Sequence, residues 1–312
     1  MAASAFNVSG NWYKGNLHTH TTISDGTLAP ADLVKLYRDM KYDFLAITDH
    51  RIYGIHEDLS SRELLLLPGV ELDVRAPDDE AFCHHIVGLG LPGANRFEHG
   101  HQFQYPADMT VHEIIQELRE GGNLCIYAHP AWSHVRHEVL DALDGLFGLE
   151  IYNHGCEVES LCGYSDNWYD RQLWQKRNLF CLATDDSHQR ALAKPDSDTS
   201  PDFGGGFVRV KAPELTAEAI HDALAAGYFY ASQGPEINDF RIEGDEIMIE
   251  SSPCRTIGFQ TDSFWGAAKN DLTSAALTQA RFKLRGRESY VRAICIDQNG
   301  RHAWSQPIWL DR

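Results

Sequence analysis

Two histidines one residue apart, His18 and His20, stand with Asp25 in the stretch GNLHTHTTISDGT at residues 15 to 27. Side chains alternate along an extended strand, so His18 and His20 point to the same side and can both hold one metal ion. Two plainer readings compete: a strand with one polar face, or a turn of small polar residues in which Asp25 of S-D-G bonds backbone amides. The choice between them depends on what the rest of the chain places nearby.

The same residue types recur at the ends of other apolar runs. FLAITDH ends in Asp49 and His50, LLLLPGVEL carries Glu71, LCIYAHP carries His129 next to its end, and LFCLATDD runs into Asp185, Asp186 and His188. FCHHIVGLG carries His84 and His85, which as strand neighbours cannot both face one site. Singly each has an ordinary role: Asp49 can cap the turn that follows, and His129 before Pro130 can simply end a strand. Jointly they cannot be dismissed so easily, because crowded imidazoles and unpaired carboxylates buried without a cation cost several kcal/mol each. A cluster of divalent metals removes that cost, and imidazole with carboxylate suits Zn, Mn or Fe better than Mg or Ca. One glutamate such as Glu71 can bridge two ions with its two oxygens. Asp186 and His188 share the spacing of His18 and His20, but a turn follows closely, so the two can diverge to different ions.

The elements that would position these residues alternate in type. Strand-like runs such as KGNLHTH, FLAITDH, LCIYAHP, LFGLEIYN and GFVRVKA are separated by amphipathic stretches such as PADLVKLYRDMK, VHEIIQELREGG, NWYDRQLWQKRN and LTAEAIHDALAAG. Pro30 suits a first helical turn, and Gly121 and Gly227 suit helix C-termini. Apolar strands separated by helices predict a parallel sheet covered on both faces, and seven or eight such units suggest a barrel whose strand C-termini share one mouth. Past Gly234 and Pro235, strand-like pieces follow one another with few helical patterns between them. The division expected is a larger α/β domain over residues 1–235 and a small antiparallel β domain over residues 236–312. The loop AKPDSDTSPDFGGG, residues 193–206, has the composition of a mobile lid.

The 312-residue chain is 43% hydrophobic and 23% charged, an ordinary globular balance. Its formal charge of −18, from 27 basic and 45 acidic residues, argues against an extended nucleic-acid-binding face. It excludes a phosphorylated small molecule less firmly, since bound cations would make the local field positive. No apolar run has the roughly eighteen residues that a membrane helix needs, and the N-terminal stretch reads as no secretory leader, so a cytoplasmic protein is expected. The seven cysteines form no C-x-x-C pair and are expected to be reduced.

Taken in order, HTHTTISDG, LAITDH, PGVE, HIVGLG, AHP and DDSH resemble the motifs of the PHP superfamily, named for polymerase and histidinol phosphatase, over roughly residues 12 to 232. The resemblance implies a distorted (β/α)7 barrel with a two- or three-metal centre at its mouth and hydrolysis of phosphate esters. Carried over by residue, it implies that His18, His20, Glu71 and Asp186 bind a first metal, that Glu71 bridges to a second held by His85 and His129, and that Asp25, His50 and His188 hold a third. His85 is preferred to His84 because the family histidine stands three residues before a glycine, here Gly88. AIHDALAAGYFYASQGPEI and the β-rich tail ending in AWSQPIWL resemble a PHP branch that contains carboxyl-ester and carbamate hydrolases.

These readings converge on a metal-dependent hydrolase of a small-molecule substrate, a phosphoesterase first and a carboxyl-ester, carbamate or amide hydrolase second, using two or three divalent ions (Mn, Zn or Fe) to activate water. A regulatory metal-binding domain without turnover is a third reading, which the complete ligand set disfavours. His154 is a candidate proton donor to the leaving group, and Asp49 a candidate for orienting a ligand from behind. Arg51 and Arg190 are candidates for gripping a substrate anion. With Lys194 and Arg209 they are enough for one phosphate, not for a long polyanion.

Overall fold

The computed structural model describes residues 3–76, 79–106, 108–193, 200–274 and 276–310. In chain order the first part comprises β1 (Ala3–Ser4), β2 (Asn11–Asn16), α1 (Pro30–Asp39), β3 (Phe44–Ala46), β4 (Leu65–Leu67), β5 (Gly69–Ala76), β6 (Asp79–Leu89), α2 (Val111–Glu120) and β7 (Leu124–Tyr127). It continues through α3 (His137–Asp141), β8 (Gly148–Asn153), α4 (His154–Ser160), α5 (Asp166–Trp174), β9 (Phe180–Thr184), α6 (Arg190–Ala193), β10 (Phe207–Ala212), α7 (Ala217–Ala225) and β11 (Phe229–Ser232). The rest is β: β12 (Ile237–Glu243), β13 (Glu246–Cys254), β14 (Thr256–Thr261), β15 (Ala267–Asn270), β16 (Leu277–Lys283), β17 (Tyr290–Ile296), β18 (His302–Ser305) and β19 (Ile308–Trp309).

Local chemistry explains the helix boundaries. Pro30 opens α1, where its missing N–H costs nothing. Thr110 and Glu113 form a capping box at the start of α2. Gly121 follows α2, and Gly227, with φ of +77°, turns the chain out of α7 where a Cβ would be strained. The buried stripes of α2 (Ile114, Ile115, Leu118) and α7 (Ile220, Ala223, Leu224) pack onto the sheets.

The strands form a mixed α/β arrangement, with parallel pairings in β2–β3–β4 and β7–β8–β9. The expected closed (β/α)7 barrel is not what the pairing shows. Among the described residues there are two open ladders, β15-β14-β17-β18-β11-β10-β2-β3-β4 and β5-β6-β7-β8-β9, linked by isolated bridges from the segments that follow β2 and β3, such as Thr19 to Ser187 and His50 to Glu71. The physical reason lies between residues 65 and 89. Pro68 splits LLLLPGVEL into β4 and β5, and β6 folds back antiparallel on β5 without a helix between them.

The C-terminal strands are antiparallel, as their turn-rich sequence predicts. The four-stranded sheet β1-β12-β13-β16 faces β14 and β17 across a core of Phe240, Ile247, Ile249, Ile257, Val291 and Cys295. The pairing of β11 with β18 continues one sheet from the first part of the chain into this region. All seven cysteines are free thiols. No helix among the described residues is long and apolar enough to cross a membrane.

Candidate metal centre

Beyond the end of β2, His18 and His20 are fully buried with Nε2 atoms 3.2 Å apart. Glu71 of β5 reaches between them, its Oε2 lying 3.2 Å from each Nε2 and 3.2 Å from His50 Nδ1. Its other oxygen, Oε1, is 2.9 Å from His85 Nδ1 and 3.4 Å from His129 Nε2. Asp186, just past β9, places Oδ1 3.3 Å from His18 Nε2 and 3.1 Å from His20 Nε2. On the open side, Asp25 Oδ2 lies 3.3 Å from His188 Nε2, and Asp25 Oδ1 lies 3.9 Å from His50 Nε2. The structure thus brings together His18, His20, Asp25, His50, Glu71, His85, His129, Asp186 and His188. His84 points to the opposite side of β6, bonding the Tyr127 hydroxyl at 2.8 Å.

This donor set fits divalent cations. Three overlapping groups have all their donor atoms within 4.8 Å of one another: His18, His20, Glu71 and Asp186; His20, Asp25, His50 and His188; and His50, Glu71 and His85. Asp186 Oδ1 is buried and accepts no hydrogen bond although two imidazole nitrogens lie beside it, the arrangement of lone pairs that converge on a common cation rather than on each other. The electrostatics agree. Burial pushes the His20 imidazolium down, but Asp186 and Glu71 outweigh it and raise its pKa to about 9. Burial likewise opposes the charged form of His85, and Glu71 raises it to about 10. Glu71 and Asp186 are held well below the ordinary carboxylate range, burial being overcome chiefly by His18. Backbone strain marks the same place: His129 and Asp186 adopt left-handed φ values of +32° and +49°.

Behind the donors lies a layer that sequence reading missed in part. Glu150, buried in β8, bonds His18 Nδ1 at 2.7 Å through Oε1, which also accepts from Thr184 Oγ1 at 2.7 Å. Its Oε2 accepts from His129 N at 2.8 Å and Asn153 Nδ2 at 2.7 Å. The available signal was one acidic residue inside the apolar run LFGLEIYN, a buried charge that must find partners. Asp49 accepts from Thr21 N and Oγ1 and from Ser24 Oγ, each at 2.7 Å, fastening the turn between His20 and Asp25 without reaching the cluster. Asp185 also turns away and accepts from the backbone of Gly204, Gly205 and Gly206 and from the Tyr37 hydroxyl. Asp202 accepts from His188 N at 2.8 Å and Gln189 N at 3.1 Å.

The remaining sequence candidates divide. A cavity of about 130 Å³ opens on the cluster, and its other walls include Trp132, Cys156, Glu159 and Arg190. Trp132 stands edge-on to His129 and His85, with ring centroids 4.8 and 5.7 Å away, and was not anticipated. Arg190 is paired with Glu159. His154 does not line the cavity: its Nδ1 meets the Tyr152 hydroxyl at 2.8 Å and its Nε2 the Pro201 carbonyl at 3.2 Å, so neither nitrogen faces the donors. Arg51 is turned aside by Asp73, which accepts from its Nε and Nη2 at 2.7 and 2.6 Å. Arg209 is held by Glu236 at 2.7 Å. Lys194 and the rest of 194–199, the middle of the expected lid, lie outside the described residues.

No family model matches the chain. Over 82 residues, 24% of this chain and 27% of that protein, it is 42% identical to the 5'-3' exoribonuclease Rnm of Salmonella typhimurium. The chain therefore spans 27% of the length of this curated relative. Among solved structures, it is similar to a two-domain protein from Bacteroides vulgatus containing a predicted PHP-like metal-dependent phosphoesterase, with a TM-score of 0.50, 15% identity, and coverage of 96% of this chain and 95% of that one. An amidohydrolase from Chromobacterium violaceum matches at a TM-score of 0.42 and 16% identity, covering 56% of this chain and 87% of that one. In fold, the chain is similar to that two-domain protein with its predicted PHP-like part.

Proposed function

We propose that this protein is a metal-dependent hydrolase, and specifically a phosphoesterase of a small phosphorylated molecule in the cytoplasm. The observation that carries the reading is the sharing of Glu71 between converging donor groups at the floor of one open cavity. His18, His20, Glu71 and Asp186 would hold one divalent ion, Glu71 with His85 and His129 a second, and Asp25, His50 and His188 a third. Mn, Zn or Fe suits these donors and, when bound, supplies a positive charge that acidifies water and stabilises the negative charge developing on the substrate.

The chain's own residues complete the site. Glu150 fixes the ring of His18 so that Nε2 faces the centre. Asp49 and Asp202 fasten the turns that carry Asp25 and His188. Trp132 walls one side of the cavity against water, and Arg190 is the one arginine or lysine among the described residues lining it. One cation suits a single phosphate better than a polyanion, in keeping with the formal charge of −18.

That lone arginine, already paired with Glu159, also keeps open a second reading: a carboxyl-ester, carbamate or amide hydrolase with the same donors, in keeping with the resemblance of the C-terminal region to that branch. The deciding assay compares Mn-reconstituted protein on nitrophenyl phosphate, bis-nitrophenyl phosphate and nitrophenyl acetate, with and without chelator, beside a His18→Ala/His20→Ala control. The diester is included because of the partial likeness to an exoribonuclease. Chelator-sensitive phosphate release, absent from the double variant, is the expected result. Acetate turnover alone would replace the phosphoesterase by the second reading.

A further inference from the structure

Four residues that are not candidate metal donors, Trp132, Cys156, Glu159 and Arg190, contribute to the cavity wall over the cluster. Cys156 is buried, whereas Arg190 and Glu159 reach from α6 and α4 to meet each other at the rim. Their side chains are 52% and 39% exposed. An ion pair this open is weak, because water and salt screen both charges. A phosphate or carboxylate entering the cavity would meet an arginine whose fork already holds a carboxylate. It can bind only by displacing or sharing that partner.

We propose that Glu159 is a specificity-determining residue, a resident counter-anion that a substrate's anionic group must displace from Arg190. The inference rests on the hydrolase reading above, with Arg190 as the substrate grip. It assigns the site substrates with an anionic group within reach of the rim, and predicts that neutral esters are indifferent to the pair. Simple repulsion by Glu159 would also weaken anion binding, but that effect would persist without Arg190. Displacement requires Arg190.

The test uses full-length, Mn-reconstituted protein as wild type, Glu159→Gln, Arg190→Gln and the double variant. KM and kcat are measured on nitrophenyl phosphate, on nitrophenyl hemisuccinate as an anionic carboxyl ester, and on neutral nitrophenyl acetate. Glu159→Gln should lower KM for the anionic esters about threefold to fivefold, the scale of an exposed pair, with kcat moving less. Arg190→Gln should raise KM for them, and the gain from Glu159→Gln should vanish in the double variant. KM for the acetate should stay the same throughout. An equal gain with and without Arg190, or an equal shift for the acetate, would overturn the proposal. Silence on the phosphate with turnover of both carboxyl esters would overturn the phosphoesterase reading alone, since the charged and neutral esters still report on Glu159. Should no ester turn over, calorimetric titration with inorganic phosphate decides: tighter binding by Glu159→Gln supports the displacement, and unchanged affinity refutes it.

Discussion

Glu150 does for His18 what the metal donors cannot do for one another. Its carboxylate occupies Nδ1, leaves Nε2 directed at Glu71 and Asp186, and takes the backbone N–H of His129 with its second oxygen. Replacing it by glutamine keeps the shape but weakens the acceptor. Glu150→Gln is therefore expected to lower metal affinity about tenfold to a hundredfold while leaving the protein folded, as measured by competition with a chromophoric chelator. The metal-free protein should also show a characteristic pH response. His20 and His85, raised to about 9 and about 10, contribute stability that is complete below the ordinary histidine value and lost as pH climbs through the folded values. Melting temperatures of chelated protein should thus fall between about pH 6.5 and 10. Metal-loaded protein should fall less, because bound cations replace those protons. A flat profile for the chelated form would contradict the charge arrangement derived for the cluster. His18 and His20 were legible in the sequence because strand alternation makes H-x-H meaningful over three residues, whereas the full donor set came from the resemblance of the ordered motifs. Glu150 was not, since its partner lies 132 positions away.

At the scale of elements, the site depends on how the loop before β10 is stapled. Asp185 gathers the N–H groups of Gly204, Gly205 and Gly206, and the chain passes so close to β9 that a Cβ on Gly206 would fall 2.2 Å from the Thr184 carbonyl oxygen. The same loop delivers Asp202 to the backbone of His188 and Gln189. Removing that acceptor leaves buried donors unpaired, so Asp202→Ala should cost about 1–3 kcal/mol in urea unfolding and should weaken metal binding on the Asp25–His188 side. Unchanged stability would show that these amides find another partner. The glycine run was visible in the sequence as a loop, but as a lid. Its role as a clamp on DDSH depends on Asp185, which shares its motif with Asp186 yet faces the other way.

Across the whole molecule, the β-rich region and the part that carries the candidate metal centre share one sheet through β11 and β18, and a buried ion pair reinforces the join. Arg292 of β17 is fully buried and its Nε lies 2.8 Å from Asp170 Oδ1 of α5. Burial raises the Asp170 pKa despite that partner, so the carboxylate depends on the guanidinium to stay charged. Arg292→Ala should destabilise the protein by about 3–5 kcal/mol, because an unpaired buried carboxylate remains. Chemical denaturation followed by tryptophan fluorescence and by far-ultraviolet dichroism should show coincident transitions in wild type. Two separated transitions would mean that the shared sheet does not couple the two parts.

The chain's sequence by itself determined that histidines and carboxylates stand at the ends of its apolar runs, the alternation of strands and helices before residue 235, and the antiparallel β character after it. Each is written in short-range spacing: period two in strands, helical spacing in the amphipathic stretches, and turn residues between them. Only the tertiary structure decided how the ladders meet. The antiparallel β5–β6 hairpin interrupts the expected barrel, an outcome that depends on which distant strand completes each edge. It also decided that Asp73 claims Arg51, that Tyr152 and Pro201 claim His154, and that Arg190 is the one arginine or lysine among the described residues to reach the cavity, where Glu159 meets it. Those choices follow from partners brought together by folding, which no local pattern encodes.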